Sequence, residues 1–224
     1  MTVAAVILSA TTEGALADTL GQPRVRRIVD IAWSGGALPV VVCAPDPDGA
    51  VAAALVGAEA TSGGAGPAEI GPGGQMVRGA DLARAEVQGT SGVLLWPARL
   101  AWVGPETVTS LIETHGMEPS ALLRPEWAGE PGWPVLLPVA ALEVLRGLDP
   151  GLAPDAVIDA LAARIPTRVL DLGDPGTTID VDTPFDALPA YEGPSDPPAG
   201  HTHEWGADVA SAAGLSSAAA DALD

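Results

Sequence analysis

Two rhythms alternate along most of this chain. Short uninterrupted apolar runs, VAAVILS (3–9), LPVVVCA (38–44) and GVLLW (92–96), read as strands buried on both faces. Between them, apolar residues recur every three or four positions. In PRVRRIVDIAWSGG the residues Val25, Ile28, Val29 and Ala32 line one side of a helix that stops at Gly35 and Gly36. Strand, helix and strand within about 40 residues predict a βαβ unit with parallel strands and a right-handed crossover. The pattern goes on with a helix near 48–56, a Gly/Pro-rich loop over 57–74 and a helix near 76–88. PETVTSLIETH follows as a helix with Pro105 in its first turn and Glu106 favouring its N-terminal dipole. The short segments SALLRP and WPVLLP lead to helices near 139–147 and 154–164, and TRVLDLG closes the series as a strand. The fold class is therefore α/β, an open and mostly parallel sheet with helices on both faces, Rossmann-like, with ligands expected beyond the carboxyl ends of the strands.

After Tyr191 the texture changes to EGPSDPPAGHTHEWG and then to an acidic, Ala/Ser-rich end, which divides the chain into a domain over 1–191 and a linker with tail over 192–224. His201, His203 and Glu204 in that tail are one residue apart or adjacent, a spacing that permits a transition-metal site but more often marks solvated residues. His115 falls at a helix C-terminus, where a charged imidazole would favour the dipole.

Composition narrows the function classes. Hydrophobic residues make up 47% of the chain but include one Tyr and one Phe, so Ala, Val and Leu must build the core. Ten basic against 29 acidic residues give a formal charge of −19, which repels nucleic acid and anionic membrane surfaces. The lone Cys43 lies in an apolar run as a small buried thiol and fits a reducing cytoplasm. The first residues lack the basic segment of a secretory signal, and no stretch approaches the ~18 apolar residues of a membrane span.

Three segments carry a resemblance. GQPRVRRIVDIAWSGGALPVVVC is similar to a Gly-x-Pro-Leu-Leu helix followed by a strand; RPEWAGEPGWPVLL to Arg-Pro, an aromatic, then Gly-His-Pro-Val-Leu; DLGDPGTTIDVDTPFDAL to Asp-Pro-Gly…Asp-Ile-Asp-Thr-Pro-Glu-Asp. Together they resemble the MobA/MocA-like nucleotidyltransferases, which join a nucleoside monophosphate to molybdopterin or a related cofactor. The resemblance implies a nucleotidyltransferase-like fold, a nucleotide or pterin ligand, and Mg²⁺ if the chain is active. It also implies that Asp180 and Asp182 border the active site, and that Trp133 stands for a histidine in the segment that handles substrate.

Against that family the phosphate and metal machinery is altered. Ser9, Ala10, Thr11 and Thr12 stand where a glycine-rich phosphate loop is wanted, Glu13 and Asp18 add negative charge, and no Lys or Arg precedes Arg24; Gly14 is the residue left to serve a rerouted loop. Matching VGPETV to the family's Val-x-Pro-Glu-Thr puts Arg99 at the position of a metal-binding Asp. A guanidinium is permanently cationic and offers no lone pair, so Arg99 either pairs with Asp180 or Asp182 in the space of the metal or points into solvent. Three functions stay open: a non-catalytic relative working with a molybdenum-enzyme or cofactor maturation partner, an active transferase with an unorthodox loop, and an acidic interaction protein.

Overall fold

The computed structural model describes residues 2–193. The tail expected after 191 lies beyond Gly193, outside the described residues, and His201, His203 and Glu204 lie there with it. Thr2–Leu8 (β1) lies in the interior of the sheet. Its neighbours are Val40–Cys43 (β2) and Thr90–Pro97 (β4), both parallel to it, with Ala5 aligned between Val40 and Leu94. Thr61–Ser62 (β3) adds a further parallel strand beside β2.

Beyond β4 the direction changes. Val135–Pro138 (β7) runs antiparallel to β4 and to Leu122–Trp127 (β5); Glu130–Pro131 (β6) closes a hairpin with β5; Thr167–Asp171 (β8) pairs parallel with β5. The sheet order is β3-β2-β1-β4-β7-β5-β6 with β8 alongside β5, so the sheet is mixed with parallel central strands. A four-residue run buried on both faces, as VLLP is, carries no mark of strand direction, which is why the antiparallel insertion has no sequence signature.

Helices cover both faces. Arg24–Ser34 (α2) packs with Pro105–Met117 (α5) on one, and Gly71–Glu86 (α4) packs with Leu142–Arg146 (α6) and Pro154–Ala162 (α7) on the other. Two short helices, Thr12–Leu16 (α1) and Ala50–Ala54 (α3), follow β1 and β2. The connection from β1 runs through α2 towards β2, whereas the connection through α4 returns to β4 on the other side of β1. The switch point lies between the carboxyl ends of β1 and β4.

Ile7, Leu94, Leu95 and Trp96 are fully buried between these layers, each contributing roughly 1.5–3 kcal/mol of hydrophobic stabilisation. Close approach explains why the helix expected from residue 76 starts at Gly71 instead. A Cβ at Gly71 would meet Pro150 O at 2.3 Å and one at Gly73 would meet Pro150 Cα at 3.3 Å, so these glycines of the expected loop let the first turn of α4 lie against Pro150. Further along, a Cβ at Gly79 would meet Val6 Cγ1 at 2.3 Å, so α4 lies directly on β1.

His115 corrects the dipole reading. It occupies the last turn of α5 but is fully buried, with Nε2 3.2 Å from Ser91 Oγ and Nδ1 lacking a partner among the described residues. Burial lowers its pKa, opposed by the contact with Ser91, so the folded state holds a neutral imidazole that has no charge to offer the dipole. Because the folded pKa lies below the unfolded value of 6.5, stability from this group is complete above about pH 6.5 and declines as pH falls below it. Urea unfolding should therefore give a midpoint that drops between about pH 7 and 5, and the non-titrating His115→Gln should drop less steeply. Parallel slopes would assign the acid sensitivity to other groups.

Candidate functional site

A cleft of about 540 Å³ opens at the switch point. Leu8 from the end of β1, Cys43 from β2, Met76 from α4, and Pro97 and Ala98 after β4 form apolar walls. Ser9, Ala10, Thr11 and Gly14 line the side where a phosphate loop would stand, and Arg24 and Arg99 stand on its border.

The loop after β1 turns its hydroxyls on itself. Thr11 is the N-cap of α1, its Oγ1 accepting from Gly14 N at 2.9 Å, and Ser9 Oγ donates to the Thr11 carbonyl at 2.9 Å. Thr12 faces elsewhere, its Oγ1 donating to Pro45 O at 2.6 Å. Glu13 is exposed in the first turn of α1. The Gly14 N–H that an unorthodox loop would need for phosphate is thus held by Thr11.

Arg99 follows β4 with its side chain 47% exposed. Its Nη2 donates to Asp155 Oδ2 at 3.5 Å, and its Nη1 lies 4.0 Å from Asp180 Oδ2. The expected proximity to the acidic loop is present, but as an ion pair beyond hydrogen-bond length. The hydrogen bond itself goes to Asp155, a carboxylate in the first turn of α7 that nothing in the sequence connected with Arg99. Asp182 is exposed; its backbone N–H donates to Asp180 Oδ1 at 3.0 Å, and its carboxylate acts on Arg24.

Arg24 is the first residue of α2. A tight turn delivers it to the cleft: Asp18 pairs with Pro23, and Arg24 N donates to the Ala17 carbonyl at 3.0 Å. Its Nε is buried without a hydrogen-bond partner among the described residues. Burial lowers its pKa, partly offset by Asp182 and Asp180. The signal for it was visible as the first cation after β1, but its place within a Gly-x-Pro helix start pointed to structure alone. Trp133 is buried and lines none of the cleft; its Nε1 donates to Asp155 Oδ1 at 2.8 Å, so it touches the site only through that carboxylate.

The acidic loop is fastened from beneath. Asp174 is buried and accepts from Gly104 N at 2.9 Å, Thr107 Oγ1 at 2.6 Å and Gly176 N at 2.9 Å. Gly176 lies so close to Trp102 that a Cβ would fall 2.3 Å from the Trp102 carbonyl carbon. Trp102 Nε1 in turn donates to the carbonyls of Asp180 and Thr183 at 3.1 and 3.0 Å, and Val181 N donates to the Arg99 carbonyl at 3.0 Å. Arg27 lies over the rings of Trp102 and Phe185, 5.7 and 5.9 Å from their centroids. These contacts carry Asp180 to Arg99.

A divalent ion beside Asp180 would stand against the guanidinium of Arg99. Among the described residues no three His, Cys, Asp or Glu side chains are grouped to hold a metal, and the guanidinium of Arg99 supplies positive charge where a ligand carboxylate would be required.

The model of the MobA-like NTP transferase domain matches residues 12–164. No curated protein sequence matches the chain. Solved structures share its fold. The Mycobacterium tuberculosis protein Rv0371c in complex with manganese aligns with a TM-score of 0.61 and 20% identity over 81% of this chain and 92% of its own. CMP:2-keto-3-deoxy-manno-octonic acid synthetase complexed with CTP aligns with a TM-score of 0.56 and 15% identity over 82% and 94%. The 2-C-methyl-D-erythritol 4-phosphate cytidylyltransferase of Thermus thermophilus aligns with a TM-score of 0.58 and 16% identity over 83% and 95%.

Three variants check the geometry. Half-exposed and loosely spaced, the Arg99 pairs should be worth less than about 1 kcal/mol, so Arg99→Ala should unfold almost like the parent. Arg99→Asp adds repulsion beside Asp155 and Asp180 and should melt lower in metal-free buffer, with Mg²⁺ restoring it; identical melting in both buffers would detach Arg99 from the acidic loop. Asp174→Ala leaves Gly104 N and Gly176 N without their acceptor and should cost about 3 kcal/mol or more in urea unfolding.

Proposed function

Because the chain belongs to the family of MobA-like NTP transferase domains, we propose that it is a non-catalytic member that keeps the fold and the cleft and has given up metal-dependent nucleotidyl transfer. The observation that carries this reading is Arg99, whose guanidinium stands between Asp155 and Asp180 at the position the family resemblance gives to a metal-binding Asp. Transfer of a nucleotidyl group asks the protein chiefly to position and neutralise phosphates, and losing one such contact costs a few kcal/mol in the transition state. Here the loop cation and the metal carboxylate change together. The resemblance of DLGDPGTTIDVDTPFDAL ties the proposed role to a molybdenum-enzyme or cofactor maturation partner, in the cytoplasm, with residues 1–191 as the working domain.

A second reading, an active transferase moving a nucleoside monophosphate from CTP or GTP to a phosphorylated acceptor such as molybdopterin, is favoured by one feature. The cleft stays open at the switch point and has two arginines on its border. Titration calorimetry separates the two. CTP and GTP with Mg²⁺ should bind at millimolar levels or more weakly, and no pyrophosphate should appear when molybdopterin is added. A micromolar dissociation constant for either nucleotide, with pyrophosphate release, would establish the active enzyme.

A further inference from the structure

Resting on the reading of the cleft as metal-free, we infer that its ligand is an organic carboxylate with an apolar body, held by Arg24 and Arg99 without a divalent ion. The volume of about 540 Å³ is that of a small-molecule site, and its walls of Leu8, Cys43, Met76, Pro97 and Ala98 suit an aliphatic or aromatic body.

The polar side chains in the cleft are spent on the protein's own backbone. Ser9 Oγ bonds the Thr11 carbonyl, Thr11 Oγ1 bonds Gly14 N, and the Gln75 amide is tied at both ends to Gly66. These side chains are oriented by the protein's own backbone, and none of them carries a charge to offer a ligand.

Two cations are only partly engaged. Arg24 lines the cleft, its Nε has no hydrogen-bond partner among the described residues, and Asp182 and Asp180 act on it without a bond. Arg99 carries five N–H donors and uses them on one bond of 3.5 Å and one ion pair of 4.0 Å. Forked guanidinium groups match a carboxylate with two parallel bonds.

Charge decides between anions. Asp155, Asp180 and Asp182 surround the same rim, and the whole chain carries −19. Three carboxylates against two guanidinium groups leave the rim with net negative charge. Attraction and repulsion both scale with ligand charge, so the unfavourable net field is least for a monoanion and grows for a phosphate monoester and a triphosphate. A monoanion is the ligand that two partly compensated arginines can hold.

The test is titration calorimetry in EDTA with octanoate, octanamide, octyl phosphate and CTP. Octanoate should bind about ten-fold or more tightly than octanamide, and Mg²⁺ should leave its affinity unchanged. Arg24→Met should lose about ten-fold for octanoate while leaving octanamide alone, and Arg24→Lys should recover part of the loss. If Arg24→Met does not fold, the octanoate and octanamide affinities of the parent decide by themselves. Equal affinities, no octanoate binding, or tighter binding of octyl phosphate or CTP than of octanoate would overturn the inference. Micromolar CTP binding that appears only with Mg²⁺ would instead overturn the non-catalytic reading on which it rests. Failure of octanoate with CTP silent in both buffers would remove this inference and leave that reading standing.

Discussion

The buried carboxylate of Asp174 fixes where everything at the cleft stands. It gathers the N–H of Gly104, the hydroxyl of Thr107 and the N–H of Gly176, and so ties the segment after β8 to the N-terminus of α5. A buried carboxyl group of this kind is tolerable only when hydrogen-bond donors surround it, and three do. From that anchor the chain runs over Trp102, whose indole N–H fixes the next turn, and Asp180 arrives beside Arg99. The family motif DPGTT is thus a fastening, and the acidic residues after it are what it presents.

That division explains how a site can change chemistry while the fold does not. The fastening depends on Asp174 and on a glycine at 176 with no room for a side chain, neither of which faces the cleft. The rim residues Arg24, Arg99 and Asp155 hang from α2, the end of β4 and α7, and the half-exposed Arg99 pairs of 3.5–4.0 Å contribute little to stability. Substitutions there alter the sign and strength of the local field at small cost to the scaffold.

Much of the architecture was legible because buried parallel strands and amphipathic helices impose different periods, and β1, α2, β2, β4 and α5 all show theirs. The antiparallel β7 was not legible as such, since four apolar residues look alike in either direction. The start of α4 was hidden by Gly71 and Gly73, whose value lies in contacts with Pro150, distant in sequence. At the site, Arg99 and Asp180 could be brought together by matching segments to a family. Asp155 could not, because its approach to Arg99 is set by how α7 packs, and one carboxylate at a helix start is ordinary. The setting of Trp133 was hidden for a related reason: an aromatic in a substrate segment says nothing of its depth, and this one sits in the core and reaches the rim by a single indole N–H.

That single indole bond gives the cleft an optical reporter. Among the described residues Trp33, Trp96, Trp102, Trp127 and Trp133 absorb in the near ultraviolet, and Trp133 alone shares its indole proton with a carboxylate that also faces Arg99. Excitation moves electron density from the pyrrole ring of an indole to its benzene ring, so a negative charge beside Nε1 lowers the energy of the emitting state. While the guanidinium screens Asp155, that influence is muted. An anion that drew Arg99 away would unscreen the carboxylate and move the emission of Trp133 to longer wavelength, so an event at the rim would be readable from within the core.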